Sequence, residues 1–402
     1  MTNYLKIFQW AIHLFVIYSY FLIYAQFGFL RYLQAFEDPQ IIKQIMPMML
    51  IGAFCSGMLI RFKEIVKIKS YLLGGFLIAI AVAASPIFFQ DLKLFYIESF
   101  FIGLSIGTLT ILSTTTLYNH LRYFEVILVA SLSTASAYFF CNIPWLHYNS
   151  PTVISSVASI LAVIGLINCS LISWDDKRLP RQNIRLQSDR QFYLVVLMFF
   201  VVLFIDSYSF YVIQNNELLM KFSWGDGYCF NQGLYHVLGA FLAYHFLSQK
   251  QIHYLLCVVM FLFCISIHRI GGEGSFIFAY FYAIGIAMYS TALISYPANF
   301  SDSFEKRKKI TTDLYLIAGW LGSGLGVVFA DGKTSISFEF FTVLLVIYTI
   351  ILSLAALSNS RVRIAAFLVM TLLLQRLHSS ETVKLSFHIY TPPQLYVSKN
   401  SD

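Results

Sequence analysis

The chain has 402 residues, of which 58% are apolar and only 12% charged, where soluble domains carry about a quarter. Its mean hydropathy is +0.71. That excludes a disordered chain and a water-soluble globule, because a single soluble core stops growing near about 250–300 residues. The formal net charge of +7 would suit a polyanion partner such as a nucleic acid, but the distribution of the basic residues excludes it.

A helix needs about 20 mostly apolar residues to cross roughly 30 Å of hydrocarbon. Backbone polar groups in lipid must be satisfied within the segment, so long apolar runs are read as helices. In chain order the runs are 7–30, 41–60, 71–90, 94–118, 124–145 and 152–173, then 191–213, 229–248, 251–270, 275–298, 308–330 and 336–357. The expected fold class is all-α, a polytopic membrane protein with twelve transmembrane helices. The first run is too long for a signal-peptide core and lacks a small-residue cleavage site, so it is read as a retained helix. Beyond the last run, residues 364–374 are apolar except Thr371 but too short to span. They predict a membrane-surface helix within a C-terminal tail, 358–402, whose end is polar.

The loops alternate in charge. Of the 27 Lys and Arg residues, 18 fall in segments on the side of the N-terminus and six on the other. The former include Arg61, Lys63, Lys67, Arg122, Arg307 and Lys308. Positive residues mark the cytoplasmic side, so both ends of the bundle are expected inside, in a plasma membrane of bacterial inner-membrane type. This asymmetry accounts for the net charge without a nucleic acid. The longest polar stretch between runs is the basic loop 174–190. It divides the chain into bundles of six helices each, 1–173 and 191–357. Arg122 and Arg307 start similar basic, acidic and small-residue sequences 185 residues apart, which predicts two pseudo-symmetric halves with a site between them. Small residues four apart, Gly103 and Gly107, Ala53 and Gly57, and Gly322 and Gly326, predict faces where helix backbones approach closely.

An ionisable group at the centre of a span costs at least about 2.5–3.5 kcal/mol, so each needs a partner or a wet cavity. Asp206, well inside the seventh run, is the first candidate for binding a proton or a cationic group. Glu98, near the outer end of the fourth, is the second. His236 lies deep in the eighth run and titrates near neutral pH in its free form. Tyr18 and Tyr289 sit mid-span, placed to stack on an amphipathic or cationic solute. Glu125 and Asp313 stand at the inner starts of the fifth and eleventh runs, where an acid caps a helix or meets a base across the halves.

The stretch Gly57-Met58-Leu59-Ile60-Arg61-Phe62-Lys63-Glu64 follows the second run. Together with six-plus-six spans, the central basic loop and basic loops after the second, fourth and tenth runs, it resembles the major facilitator superfamily over about 1–357. The motif's glycine and basic residues are present; its aspartate and second glycine are not, nor is the Gly- and Pro-rich antiporter signature in the fifth run. The resemblance implies two rocking six-helix bundles with spans one, four, seven and ten lining a central cavity. It also implies a cytoplasmic latch in which Arg61 or Lys63 meets an acid, Glu125 or Asp313, across the halves.

No GxxxxGK[ST], GxSxG, HExxH or CxxC pattern occurs, so no cofactor or metal is expected. The favoured function is a secondary active transporter for a small solute, with H+ coupling as one option, working as a monomer in the lipid bilayer. The second reading is a polytopic membrane enzyme such as a glycan polymerase or acyltransferase. Such enzymes carry large outer loops with clustered Arg, His or Asp; the loop at 214–228 holds only Glu217, Lys221 and Asp226 as charges.

Overall fold

The computed structural model describes residues 3–36, 39–65, 67–172, 174, 189–225, 227–269, 275–299, 303–330 and 338–356. The tail 358–402, and all of the central loop except residues 174, 189 and 190, lie outside the described residues.

Among these residues twelve long helices follow one another. α1 comprises Asn3–Tyr20, a π-helical stretch Phe21–Gly28 and Phe29–Gln34; α2 is Pro39–Phe62, α3 Ile68–Phe88, α4 Leu92–His120, α5 Tyr123–Cys141 and α6 Pro151–Leu171. α7 is Asp189–Gln214, α8 Cys229–Ser248, α9 Ile252–Arg269 and α10 Ser275–Ser295, which tightens into the 3-10 turn Tyr296–Asn299. α11 comprises Phe304–Leu314, a second π-helical stretch Tyr315–Gly322 and Ser323–Ala330, and α12 is Phe338–Ala356. Nine of these rods are long and apolar enough to cross a membrane. α8 is a continuous helix whose apolar sequence is broken by Asn231, Gln232 and His236, while α9 and α12 hold the shorter apolar stretches Ile252–Ile267 and Val343–Leu352.

Polar residues mark the helix starts, where the first backbone N–H groups lack helical partners. Asp91 accepts from the Lys93 N–H at 2.9 Å, Ser150 from Val153 at 3.4 Å beside Pro151, and Ser303 from Lys306 at 3.3 Å. Inside the apolar region the same demand falls on side chains. Pro86 in α3 has no N–H to give the Val82 carbonyl four residues back. The Tyr24 hydroxyl donates to that carbonyl at 2.6 Å, fastening α1 to α3.

The packing scheme of α1–α6 recurs in α7–α12. α2 packs on α4 as α8 does on α10, α3 on α4 as α9 on α10, α1 on α5 as α7 on α11, and α1 on α6 as α7 on α12. The cross-contacts repeat too: α5 meets α8, and α11 meets α2. Two of these contacts require glycine. A Cβ on Gly103 would lie 1.8 Å from the Met49 carbonyl oxygen in α2, and one on Gly239 in α8 would lie 2.4 Å from the Ile284 oxygen in α10. Backbones this close are the usual means of helix association in lipid, where apolar burial gives no drive. The six cysteines are free thiols. Cys229 donates its S–H to the Asn142 carbonyl at 3.3 Å.

Candidate functional site

Asp206 is two-thirds along α7 and faces α10, not the acyl chains. The Tyr282 hydroxyl donates to its Oδ1 at 2.6 Å and lies 3.0 Å from its backbone oxygen; the Tyr289 hydroxyl donates to Oδ2. Tyr282 and Tyr289 are seven apart, two helical turns, and so share one face of α10. Both are buried, and Phe263 of α9 packs its ring on each. Each carboxylate oxygen thus has one phenolic donor, while the residue keeps partial exposure.

The next residue on α10 extends the group into the other half of the chain. Ser290 shares a hydrogen bond with the Tyr138 hydroxyl of α5 at 3.1 Å. The Tyr138 ring stacks on His236 of α8 at 4.3 Å between centroids. His236 is 3% exposed, and its Nδ1 has no hydrogen-bond partner among the described residues. Ser131 and Thr134 of α5 and Thr291 of α10 also carry buried hydroxyls without partners among the described residues. Unsatisfied buried polar atoms are uncommon in folded proteins; these four lie on three helices that pack together, and others are spread over the remaining helices.

Tyr18 belongs to a separate group. Its hydroxyl meets that of Tyr315 at 2.8 Å, and Tyr315 in turn meets Thr114 of α4 at 3.1 Å. Tyr315 opens the π-helical stretch of α11, a wide turn of the kind often found at functional positions. Tyr18 and Tyr289 are therefore both interior, but each is bound to its own tyrosine partners. Glu98 lies apart from Asp206, two turns into α4, within the packing of α1, α3 and α4. It is 3% exposed and neither carboxylate oxygen has a hydrogen bond among the described residues; Ser85, Tyr20 and Tyr24 surround it.

At the basic end the halves are tied together. Arg61 of α2 pairs with Asp313 of α11, and the Tyr193 hydroxyl of α7 donates to Asp313 Oδ2 at 3.2 Å. Arg307 donates to Asn119, and the Tyr118 hydroxyl to the Ile294 carbonyl, where α10 tightens. Lys308, 2% exposed, pairs with Glu305 at 2.6 Å and donates to the Lys63 carbonyl at 2.9 Å. Lys63 thus joins the crossing through its backbone, while its ammonium lies 5.7 Å from the Tyr71 ring centre. Glu125 is placed differently from the latch expectation: its carboxylate accepts from the Arg122 N–H at 2.8 Å and caps the start of α5. At the opposite end, Tyr148 donates to the Trp224 carbonyl at 2.7 Å and Phe139 packs on Phe230. Among the described residues no group of His, Cys, Asp and Glu is placed to hold a metal ion.

The arrangement was compared with known proteins. No family model matches the sequence, and no curated sequence matches it. Solved structures do. The human organic anion transporter MFSD10 (TETRAN) superposes with a TM-score of 0.66 at 12% identity, over 86% of this chain and 98% of that one. FucP in the outward conformation gives 0.56 at 14%, over 90% and 98%. The proton:xylose symporter XylE bound to 6-bromo-6-deoxy-D-glucose gives 0.58 at 13%, over 82% and 89%. The chain thus shares the fold of these three structures. It is an all-α, polytopic membrane fold, and the likeness extends over both halves of the chain.

Proposed function

We propose that the chain is a secondary transporter that carries a small solute by alternating access, with Asp206 as the group that takes a proton or a cationic part of the solute. Asp206 carries the reading. It is an acid in the membrane interior held by two tyrosine hydroxyls, with no basic partner among its hydrogen bonds. A carboxylate in that setting is costly to keep charged, so gaining a proton or a cation releases free energy that differs between conformations. The partnerless hydroxyls on α5 and α10 and the His236 Nδ1 supply the polar contacts a solute needs. The proton:xylose symporter XylE and the organic anion transporter MFSD10 share the fold; the enzyme alternative finds no support among these neighbours.

Transport follows from two sets of ties. The bundles 1–173 and 191–357 close on each other at the basic end through Arg61–Asp313 and Arg307–Asn119, and at the other end through Tyr148–Trp224. Rocking about the centre releases one set while keeping the other, and the basic end faces the cytoplasm by its Lys and Arg excess. The protein works as a monomer on this reading. The test is solute flux into proteoliposomes under an imposed pH gradient, over a panel of sugars, organic anions and organic cations. Wild-type flux that responds to the gradient, and an Asp206→Asn variant whose residual flux does not, support the assignment. Gradient-driven flux unchanged in Asp206→Asn overturns the role of Asp206.

A further inference from the structure

A groove of about 360 Å³ lies between α2, α3 and α4, away from the central site. Its walls are Leu59, Ile60, Gly74, Ile78 and Leu104, and the hydroxyls of Ser56 and Thr108 at its floor bond to each other at 2.8 Å. It opens on the flank of the bundle, where Leu59 is 61% and Tyr71 37% exposed. A Cβ built on Gly74 meets nothing within 4 Å, so this stretch of wall is open space. Lys63 stands at the mouth with its ammonium over the Tyr71 ring. Lys67 follows in the same turn and Lys69 nearby donates to the Ser170 carbonyl at 2.9 Å, against one acid, Glu64.

We propose that this groove holds one anionic phospholipid, with an acyl chain along Leu59, Gly74, Ile78 and Leu104 and the headgroup phosphate at Lys63. The walls are apolar and the groove is set in the membrane-facing flank of the bundle, so hydrocarbon rather than water fills it. From Lys63 to Ser56 α2 rises roughly 10 Å, enough for the first part of a chain entering from the basic-side leaflet. The charge at the mouth selects the headgroup: basic residues at a membrane surface attract anionic lipid. A zwitterionic lipid satisfies the walls but not Lys63, and inorganic phosphate satisfies Lys63 but not the walls.

The test uses the purified full chain in detergent, stripped of lipid. Retained lipid is counted by native mass spectrometry, and melting is followed on adding phosphatidylglycerol, phosphatidylcholine or sodium phosphate. Wild type should keep one added phosphatidylglycerol, preferred about fivefold over phosphatidylcholine, as expected for a single lysine at the surface. Gly74→Leu, whose Cβ meets no neighbour within 4 Å and whose side chain would fill the groove, should melt like wild type without lipid and lose the bound molecule. Lys63→Gln should keep a chain in the groove and lose the headgroup preference. Equal retention of both lipids by wild type, undiminished retention by Gly74→Leu, or equal stabilisation by sodium phosphate overturns the proposal.

Discussion

Removing the Arg61 guanidinium isolates a carboxylate that the closed basic end has already desolvated. Asp313 has a side chain only 6% exposed, against 24% for Arg61, and in Arg61→Ala its described partner is the Tyr193 hydroxyl alone. Breaking a fully buried pair costs about 3–5 kcal/mol. Part of Arg61 reaches solvent, which screens the pair, so about 1.5–3 kcal/mol is expected, the range for a hydrogen bond to a charged group. The pair exists only when α2 and α11 meet, so the loss falls on the state closed at this end. At about 1.4 kcal/mol per tenfold, the population open at the basic end rises by roughly 10- to 100-fold. The assay is pulsed electron-spin distance measurement between labels at Phe62→Cys and Lys309→Cys, both exposed positions, in a Cys55→Ser background. Arg61→Ala and Asp313→Asn should each widen the distribution toward long distances, and the double variant should add little to either. An unchanged distribution in both single variants, or additive effects in the double, refutes the latch.

Other outcomes follow from the same geometry. Tyr289→Phe and Tyr282→Phe each strip one donor from Asp206, so each should change the apparent affinity for the coupled proton or solute about 10-fold or more; unchanged pH dependence of flux in both would contradict the role given to these hydroxyls. Glu98→Gln replaces a buried acid that has no ion-pair partner among the described residues by a neutral group of the same shape. Removing an uncompensated buried charge does not destabilise, so its melting temperature should equal or exceed that of wild type, and a fall of several degrees would contradict this. Gly103→Leu drives a side chain into the α2 backbone and should abolish recovery of folded protein, whereas Gly74→Leu should not; size-exclusion chromatography of the two checks the contrast.

Much of this fold was legible because lipid leaves the backbone few choices. Apolar runs of span length became helices near the expected positions, and the small-residue spacing at Gly103 and Gly107 marked the tight α2–α4 contact. The resemblance set Arg61 or Lys63 against Glu125 or Asp313, and it is Arg61 and Asp313 that meet. Glu125 shows the opposite case: a local partner three residues away outcompeted a distant one. Asp206 and Tyr289 were both named, but not their contact. The heptad spacing of Tyr282, Tyr289 and Tyr296 carried the signal for a tyrosine face on α10. Tyr315 and Tyr138 were not legible. The π-helical turn adds residues per turn at Tyr315, so an α-helical wheel misplaces every side chain after it, and its partners Tyr18 and Thr114 are 297 and 201 positions away. The Tyr138–His236 stack depends on the α5–α8 crossing, which no local pattern encodes.

Alternating access around Asp206 requires that one end open as the other closes. Its most direct measurement records the Phe62–Lys309 distance at the basic end and a Trp145–Phe230 distance at the opposite end, with the label pairs introduced in separate samples. Arg61→Ala should lengthen the first distribution and shorten or hold the second, and lowering pH should move both in opposite senses in wild type but not in Asp206→Asn. Distances that widen together, or that ignore pH and both substitutions, contradict alternating access in this chain.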